Sequence, residues 1–210
     1  MPRTSSSSTK KTNKRTRLSQ AERREQLVRG AVKVASDVGL GRLAHAAVAR
    51  ECAVSVPTVF SYFENRTALV LATVEEVKRF YIELADYWHR PEIPPHTAIE
   101  GHFTAYLASI KEDPHYARVW LEWGTAVRNE EGIWDSFLDY HNEIIKRMAS
   151  SIRRGQKLGE IGRSIDAKNA ARLVLAAGTA LTQMYFMDRS RAEMSRFIRQ
   201  SVQLALHEDL

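Results

Sequence analysis

Apolar side chains recur every three to four residues along most of this chain, which is the spacing of helices that bury one face. No segment alternates apolar and polar residues with period two, so we predict an all-α fold of about nine helices. The first is capped by Ser19 and ends at Gly39 and Gly41. The others are predicted at 44–52, 56–63, 66–88, 96–111, 114–127, 132–154, 166–188 and 190–206, with a long connection marked by Gly155, Gly159 and Gly162.

The second and third helices are short and are separated by a tight turn, Ala53-Val54-Ser55. Ser55 can cap the third helix, and Pro57 lies in its first turn, where a missing N–H costs nothing. Two short helices joined in this way, within residues 41–66, are typical of a helix-turn-helix whose second helix enters the major groove of DNA. A solvated helical hairpin is the alternative interpretation.

The third helix divides into an apolar and a polar face. Its apolar residues are predicted to face the first two helices: Val56, Val59, Phe60 and Phe63. The polar face carries short hydroxyls and a phenol, which can bond phosphates or base edges: Ser55, Thr58, Ser61 and Tyr62. Arg66 begins the fourth helix and could bind a phosphate together with backbone N–H groups of that helix.

Positive charge is concentrated near the start of the chain. Residues 1–66 contain 13 Lys and Arg against 5 Asp and Glu, whereas the rest of the chain contains 18 against 20. Residues 1–17 are rich in Ser, Thr, Lys and Arg and have too few apolar side chains to order themselves, so we predict a disordered basic arm. A localised positive region beside a nearly neutral body indicates a polyanionic partner, here double-stranded DNA.

Residues 19–72 resemble the DNA-binding domain of TetR-family transcriptional regulators. The resemblance rests on Gly39-Leu40-Gly41, Val48-Ala49, Val54-Ser55, Pro57-Thr58-Val59-Phe60, Tyr62-Phe63, Asn65-Arg66 and Leu69. It implies a helix-turn-helix domain at 18–66, followed by a ligand-binding and dimerisation domain at 67–210. The candidate DNA-binding residues within the motif are Ser55, Pro57, Thr58, Ser61, Tyr62, Asn65 and Arg66.

Three segments, 14–19, 55–63 and 119–123, are similar to the LuxR/HapR-type quorum-sensing master regulators within that family. This resemblance implies that Arg15 and Arg17 enter the minor groove. The subgroup usually has Asn where this chain has Ser61, so a different base preference is expected. The resemblance also implies a cavity for a small apolar ligand, although aromatic residues at helical spacing also occur as ordinary core packing. The candidate ligand-binding residues are Tyr81, Leu84, Trp120, Trp123, His141 and Ile145.

The last two predicted helices are apolar on more than one side. Residues 170–187 are apolar almost all round, and the final helix has a stripe of its own: Phe197, Ile198, Val202 and Leu206. One side can pack in the core while another contacts a partner, so we predict a homodimer through 166–188 and 190–206. An intrachain core is the alternative. A two-fold dimer places two recognition helices about 34–36 Å apart, which predicts a pseudo-palindromic operator.

The sequence lacks the motifs of common enzymes. It has no phosphate-binding Gly-rich loop, nucleophile elbow or His-Glu-x-x-His, and its one cysteine, Cys52, is expected to be a small buried residue. We therefore expect no catalysis, cofactor or metal. No run of about 18 apolar residues occurs, so we expect no membrane contact and a cytoplasmic location, nucleoid-associated when DNA is bound. The competing function is a helical small-molecule-binding or interaction protein without specific operator binding.

Overall fold

The computed structural model describes residues 18–126, 132–187 and 191–206. Within these ranges the chain forms nine α-helices and one short 3-10 helix and has no strand, which confirms the predicted all-α fold. The helices are α1 (Gln20–Val38), α2 (His45–Glu51), α3 (Val56–Phe60), α4 (Arg66–Trp88), α5 (Pro95–Glu112), α6 (Pro114–Ala126), α7 (Ile133–Leu158), α8 (Ala167–Met187) and α9 (Arg191–Leu206), with the 3-10 helix at Leu40–Arg42. The predicted basic arm, including Arg15 and Arg17, lies outside the described residues.

The start of α1 is set by a capping box. The Ser19 backbone N–H donates to Glu22 Oε2 at 2.8 Å, and the Glu22 N–H donates to Ser19 Oγ at 3.2 Å. These two bonds satisfy N–H groups that have no partner within the helix. The helix ends at Gly39, whose φ of 89° is a conformation that residues with a Cβ rarely adopt.

The end of α7 differs from the prediction. The helix continues to Leu158, so the prediction that Gly155 lies in a connection is wrong. Gly155 lies inside this helix. A Cβ at this position would come within 2.6 Å of Ile161 Cδ1, so the glycine allows the following loop to approach the helix closely. The helix instead ends at Gly159, which has a left-handed φ of 74°.

One continuous hydrophobic core joins the two ends of the molecule. From the N-terminal helices it includes Leu27, Leu40 and Val59, and it continues through Val74 of α4 and Trp123 of α6. Helix α1 packs against α2, α4 and α6, while α7 packs against α4, α5 and α8. Helices α1 to α3 are therefore attached to the C-terminal bundle by packed side chains rather than by a flexible linker.

The helix-turn-helix is itself closely packed. A Cβ at Gly30 of α1 would overlap Cys52 Sγ, and Cys52 is buried, as expected from the sequence.

None of the helices in the described ranges has the length and apolar character needed to span a membrane.

Candidate DNA-binding surface and ligand cavity

Three local features hold α3 against α2. Ser55 caps α3 by accepting from the Thr58 N–H at 3.3 Å. In the turn, Ala53 has a left-handed φ of 52°, and the Val54 N–H donates to the Ala49 carbonyl at 2.9 Å. His45 Nε2 donates to the Phe63 carbonyl at 2.7 Å, so the start of α2 is bonded to the chain just after α3.

The apolar face of α3 is only partly buried. Val59 and Phe63 lie in the core, but Val56 is 37% exposed and Phe60 is 48% exposed. The prediction that Val56 and Phe60 face inward is therefore wrong. Because α3 has only five residues, it presents little more than one side chain to the core. Phe60 stacks on the outer side of His45, with ring centroids 3.9 Å apart and planes 5° apart.

Of the hydroxyls predicted to contact DNA, two bond to each other and a third bonds to the backbone of α3. Ser55 Oγ and Thr58 Oγ1 lie 2.7 Å apart, and Ser61 Oγ donates to the Thr58 carbonyl at 2.7 Å. Ser55, Pro57 and Ser61 are exposed, whereas Thr58 and Tyr62 are half-buried. Tyr62 packs against the core.

The two candidates at the start of α4 have structural partners. The Asn65 side chain caps α4 by accepting from the Ala68 N–H at 2.8 Å. The Arg66 guanidinium donates to the Leu40 carbonyl at 2.8 Å, which attaches α4 to the 3-10 helix. A phosphate contact by Arg66 stays a prediction.

Helix α6 contacts the DNA-binding helices through polar side chains. Glu122 Oε1 accepts from the Leu40 backbone N–H at 2.9 Å, and a Cβ at Gly39 would lie 2.9 Å from the same oxygen. His115 Nδ1 lies 2.6 Å from Ser36 Oγ near the end of α1. Sequence reasoning missed Glu122, although an acid between Leu121 and Trp123 in an apolar stretch was a signal for a specific partner.

A small cavity lies in the bundle beside α6. Its volume is about 20 Å³, enough for about one water molecule, whereas pockets that hold drug-sized ligands measure about 300–1,000 Å³. The lining residues are Tyr81, His102, Phe103, Tyr106, Trp120, Tyr140, Ile144, Met148, Leu175 and Gly178. The cavity is therefore nearly closed in this structure and would have to open to admit a ligand.

Two of the six candidate ligand residues, Tyr81 and Trp120, line this cavity. The other four lie outside its lining, and Leu84 and Ile145 are half-buried against the core. Trp123 is fully buried and donates its indole N–H to the Ile133 carbonyl at 3.0 Å. His141 Nδ1 donates to the Phe137 carbonyl at 2.9 Å, and burial lowers the pKa of His141.

Sequence reasoning missed most of the lining. His102, Phe103 and Tyr106 lie on α5, where they belong to a buried stripe at helical spacing. Gly178 occupies the middle of the apolar helix α8. A glycine inside a helix costs stability, so its presence there was a signal for close packing or a cavity.

No group of three or more metal-binding side chains occurs among the described residues.

A three-helix motif packed onto a helical bundle with an internal cavity is the architecture of helix-turn-helix regulators. The family model for bacterial regulatory proteins of the tetR family matches residues 27–73. The chain is also 32% identical, over 146 residues, to the HTH-type transcriptional regulator LuxR of Vibrio harveyi, covering 68% of this chain and 70% of that protein.

The chain belongs to the TetR family of transcriptional regulators. Members of this family regulate transcription by binding DNA, so the protein is a regulator and not an enzyme. Two solved structures share the fold. A TetR-family regulator from Rhodococcus sp. has a TM-score of 0.76 at 18% identity, covering 89% of this chain and 100% of that chain. FadR of Bacillus subtilis, in complex with stearoyl-CoA, has a TM-score of 0.73 at 15% identity, covering 87% and 97%.

Glu122→Ala is expected to lower the free energy of unfolding by about 1–2 kcal/mol, because the Leu40 N–H loses its charged acceptor. Glu122→Gln is the matched control, since it keeps an acceptor oxygen of the same reach and should lose less. Urea denaturation followed by circular dichroism measures both. Equal, negligible losses in the two variants would contradict this role for Glu122.

Proposed function

We propose that this protein binds a pseudo-palindromic operator as a homodimer and that a small apolar ligand in the cavity sets its affinity for DNA. The observation that carries the proposal is the position of α6 between the two sites. Trp120 of α6 lines the cavity, and Glu122 of α6 bonds the 3-10 helix of the DNA-binding domain. Two residues apart on a helix of 3.6 residues per turn, these side chains point in nearly opposite directions.

The exposed residues of α3 support sequence-specific contact with the major groove. Val56 and Phe60 present apolar surface that suits the methyl group of thymine. Around them, the candidate contacts are Ser55, Pro57, Thr58, Ser61, Tyr62, Asn65 and Arg66. Arg15 and Arg17 of the arm remain candidates for the minor groove.

Exposed leucines on the last two helices support the dimer. Leu173 of α8 is 61% exposed, and Leu204 of α9 is 57% exposed, although these helices pack on each other and on the core. Apolar side chains exposed on adjacent helices are typical of surfaces that meet a partner. We therefore place the two-fold interface on α8 and α9, within the segments 166–188 and 190–206.

The ligand would act by opening the nearly closed cavity. A molecule entering beside Trp120 would displace α6, because packed helices move as units. Through Glu122 this displacement would reach Leu40 and change the orientation of the two recognition helices. FadR, which is similar in fold, was crystallised with stearoyl-CoA, which supports a ligand but does not identify it. The resemblance of segments 14–19, 55–63 and 119–123 to the LuxR/HapR-type quorum-sensing regulators extends the proposal to genes linked to quorum sensing.

The full chain is expected to bind fragments from its own promoter or neighbouring intergenic DNA about a thousandfold or more tightly than random DNA at physiological salt. A gel-shift titration measures this preference. Deleting residues 1–17, which removes six positive charges, should weaken binding and reduce its dependence on salt. If all fragments bind like random DNA, the competing function, a helical ligand-binding or interaction protein, replaces this one.

The same titration tests the role of Phe60. Replacing contacted thymines by uracil removes only the methyl group, so it should weaken binding of the wild-type protein by a few-fold and weaken binding of Phe60→Ala by less, since only Val56 then remains to contact a methyl group. Ser61→Ala is the control, because it leaves the apolar surface in place and should keep the sensitivity to uracil. Equal sensitivity of Phe60→Ala and the wild type would exclude the methyl contact.

Leu173→Glu is expected to convert the dimer to a monomer, because a charge would be buried against an apolar partner surface. Light scattering coupled to size-exclusion chromatography measures the mass. Leu158→Glu is the matched control, since Leu158 is equally exposed but lies at the end of α7. A dimer that survives Leu173→Glu would place the interface elsewhere.

Gly178→Ala is expected to stabilise the protein and abolish ligand binding. A Cβ there would lie 3.6 Å from Phe103 Cε2, an ordinary contact, and would fill part of the small cavity. Alanine also favours a helix interior by about 0.5–1 kcal/mol over glycine. A thermal-shift panel of small aromatic compounds measures both effects, with Gly41→Ala as the control outside the cavity. Ligand shifts that persist in Gly178→Ala would exclude this cavity as the site.

A further inference from the structure

Three side chains, two of them buried, form a hydrogen-bonded chain that ends at the cavity. Ser151 Oγ of α7 lies 2.9 Å from His89 Nδ1, which follows α4. His89 Nε2 lies 2.9 Å from His102 Nδ1 of α5. Ser151 and His102 are buried, and His102 lines the cavity.

The direction of the donors follows from Ser151. Among the described residues its hydroxyl makes a hydrogen bond only with His89 Nδ1, so if it accepted there its own proton would be buried without a partner, at a cost in free energy. Ser151 therefore donates to His89 Nδ1, and His89 carries its proton on Nε2 and donates to His102 Nδ1. His102 in turn carries its proton on Nε2, which has no partner in the part of the chain that the structure describes.

Both histidines are neutral at physiological pH. Burial lowers the pKa of His102 to about 3, with a further contribution from His89. Burial also lowers the pKa of His89 to about 4, and the positive charges of Arg154 and Arg147 act in the same direction. None of the described residues that line the cavity is Asp, Glu, Lys or Arg. The one histidine in the cavity lining is therefore uncharged.

Trp120 provides a second N–H group in the same lining. Its indole nitrogen is the one buried side-chain nitrogen or oxygen without a hydrogen bond among the described residues. The Tyr140 hydroxyl is the nearby acceptor for this N–H, but the contact does not reach hydrogen-bond geometry in this structure. The Tyr106 hydroxyl is already used, because it donates to Thr182 Oγ1 at 2.5 Å while Thr182 donates to the Gly178 carbonyl. Trp120 Nε1 and His102 Nε2 thus both lack a protein acceptor among the described residues, and of the two only Trp120 Nε1 is fully buried.

We propose that the cavity selects an uncharged ligand with an aromatic or apolar body and a carbonyl-type oxygen, which accepts from His102 Nε2 and Trp120 Nε1. The assignment rests on the proposed ligand-binding function. A carboxylate is disfavoured because no cation in the lining would offset the loss of its hydration. A purely apolar molecule is disfavoured because it would leave both donors unsatisfied.

The proton positions can be tested without a ligand. Nitrogen-15 NMR of the histidine side chains of the full chain should show His89 and His102 neutral, both with the proton on Nε2. In Ser151→Ala the hydroxyl donor is lost, so the preference of His102 for this tautomer should weaken. A wild-type protein with the His102 proton on Nδ1 would overturn the proposal.

Ligand selection can be tested with three compounds of similar size, measured by titration calorimetry. Acetophenone has a carbonyl oxygen, ethylbenzene lacks it, and benzoate carries a charge. Acetophenone should bind about tenfold more tightly than ethylbenzene and more tightly than benzoate. In Trp120→Phe this preference over ethylbenzene should fall several-fold. Trp123→Phe, whose indole N–H lies outside the lining, should keep it.

Each other outcome has a defined meaning. Ethylbenzene or benzoate binding as tightly as acetophenone would overturn the proposed ligand class. Failure of all three to bind, with the operator gel shift intact, would also overturn it and leave the DNA-binding function standing. Loss of the operator gel shift itself would overturn the proposed function, whatever the ratio of affinities.

Discussion

The hydrogen bond from the Leu40 backbone N–H to the Glu122 carboxylate joins the DNA-binding helices to the bundle, and the proposed regulation depends on it. A glycine suits position 39, because its φ of 89° is a conformation that residues with a Cβ rarely adopt and because a Cβ would also crowd the same carboxylate oxygen at 2.9 Å. Since Trp120 lies on the opposite side of α6, one rigid helix contacts both the cavity and the 3-10 helix. A change in the cavity therefore has a short physical route to the DNA-binding surface.

The small volume of the cavity supports the proposed ligand response. At about 20 Å³ it is too small for most ligands, so ligand entry must move side chains and helices. The histidine in its lining is neutral, because burial lowers the pKa of His102 to about 3. In the proposed ligand site, selectivity would rest on satisfying buried N–H groups, which discriminates strongly between compounds of similar shape.

Helix periodicity predicted the bounds of most helices to within a few residues, because each long helix buries a continuous stripe against the bundle. The same reasoning was wrong for α3. A five-residue helix has too few turns to bury a stripe, so Val56 and Phe60 remain exposed while Val59 alone reaches the core from within it. The prediction that glycines mark a connection was wrong at Gly155, where the glycine allows close packing by Ile161 inside the helix.

The sequence by itself determined the features that depend on neighbours within about four residues: the Ser19 capping box, the Ser55 cap, the turn at 53–55 and the helical class of the chain. Tertiary structure alone decided which residues meet across the bundle. Glu122 and Leu40 are 82 residues apart, and Ser151 and His89 are 62 apart. Periodicity shows that a side chain is buried, but only the packing of helices decides whether it lines a cavity, as Trp120 does, or fills the core, as Trp123 does.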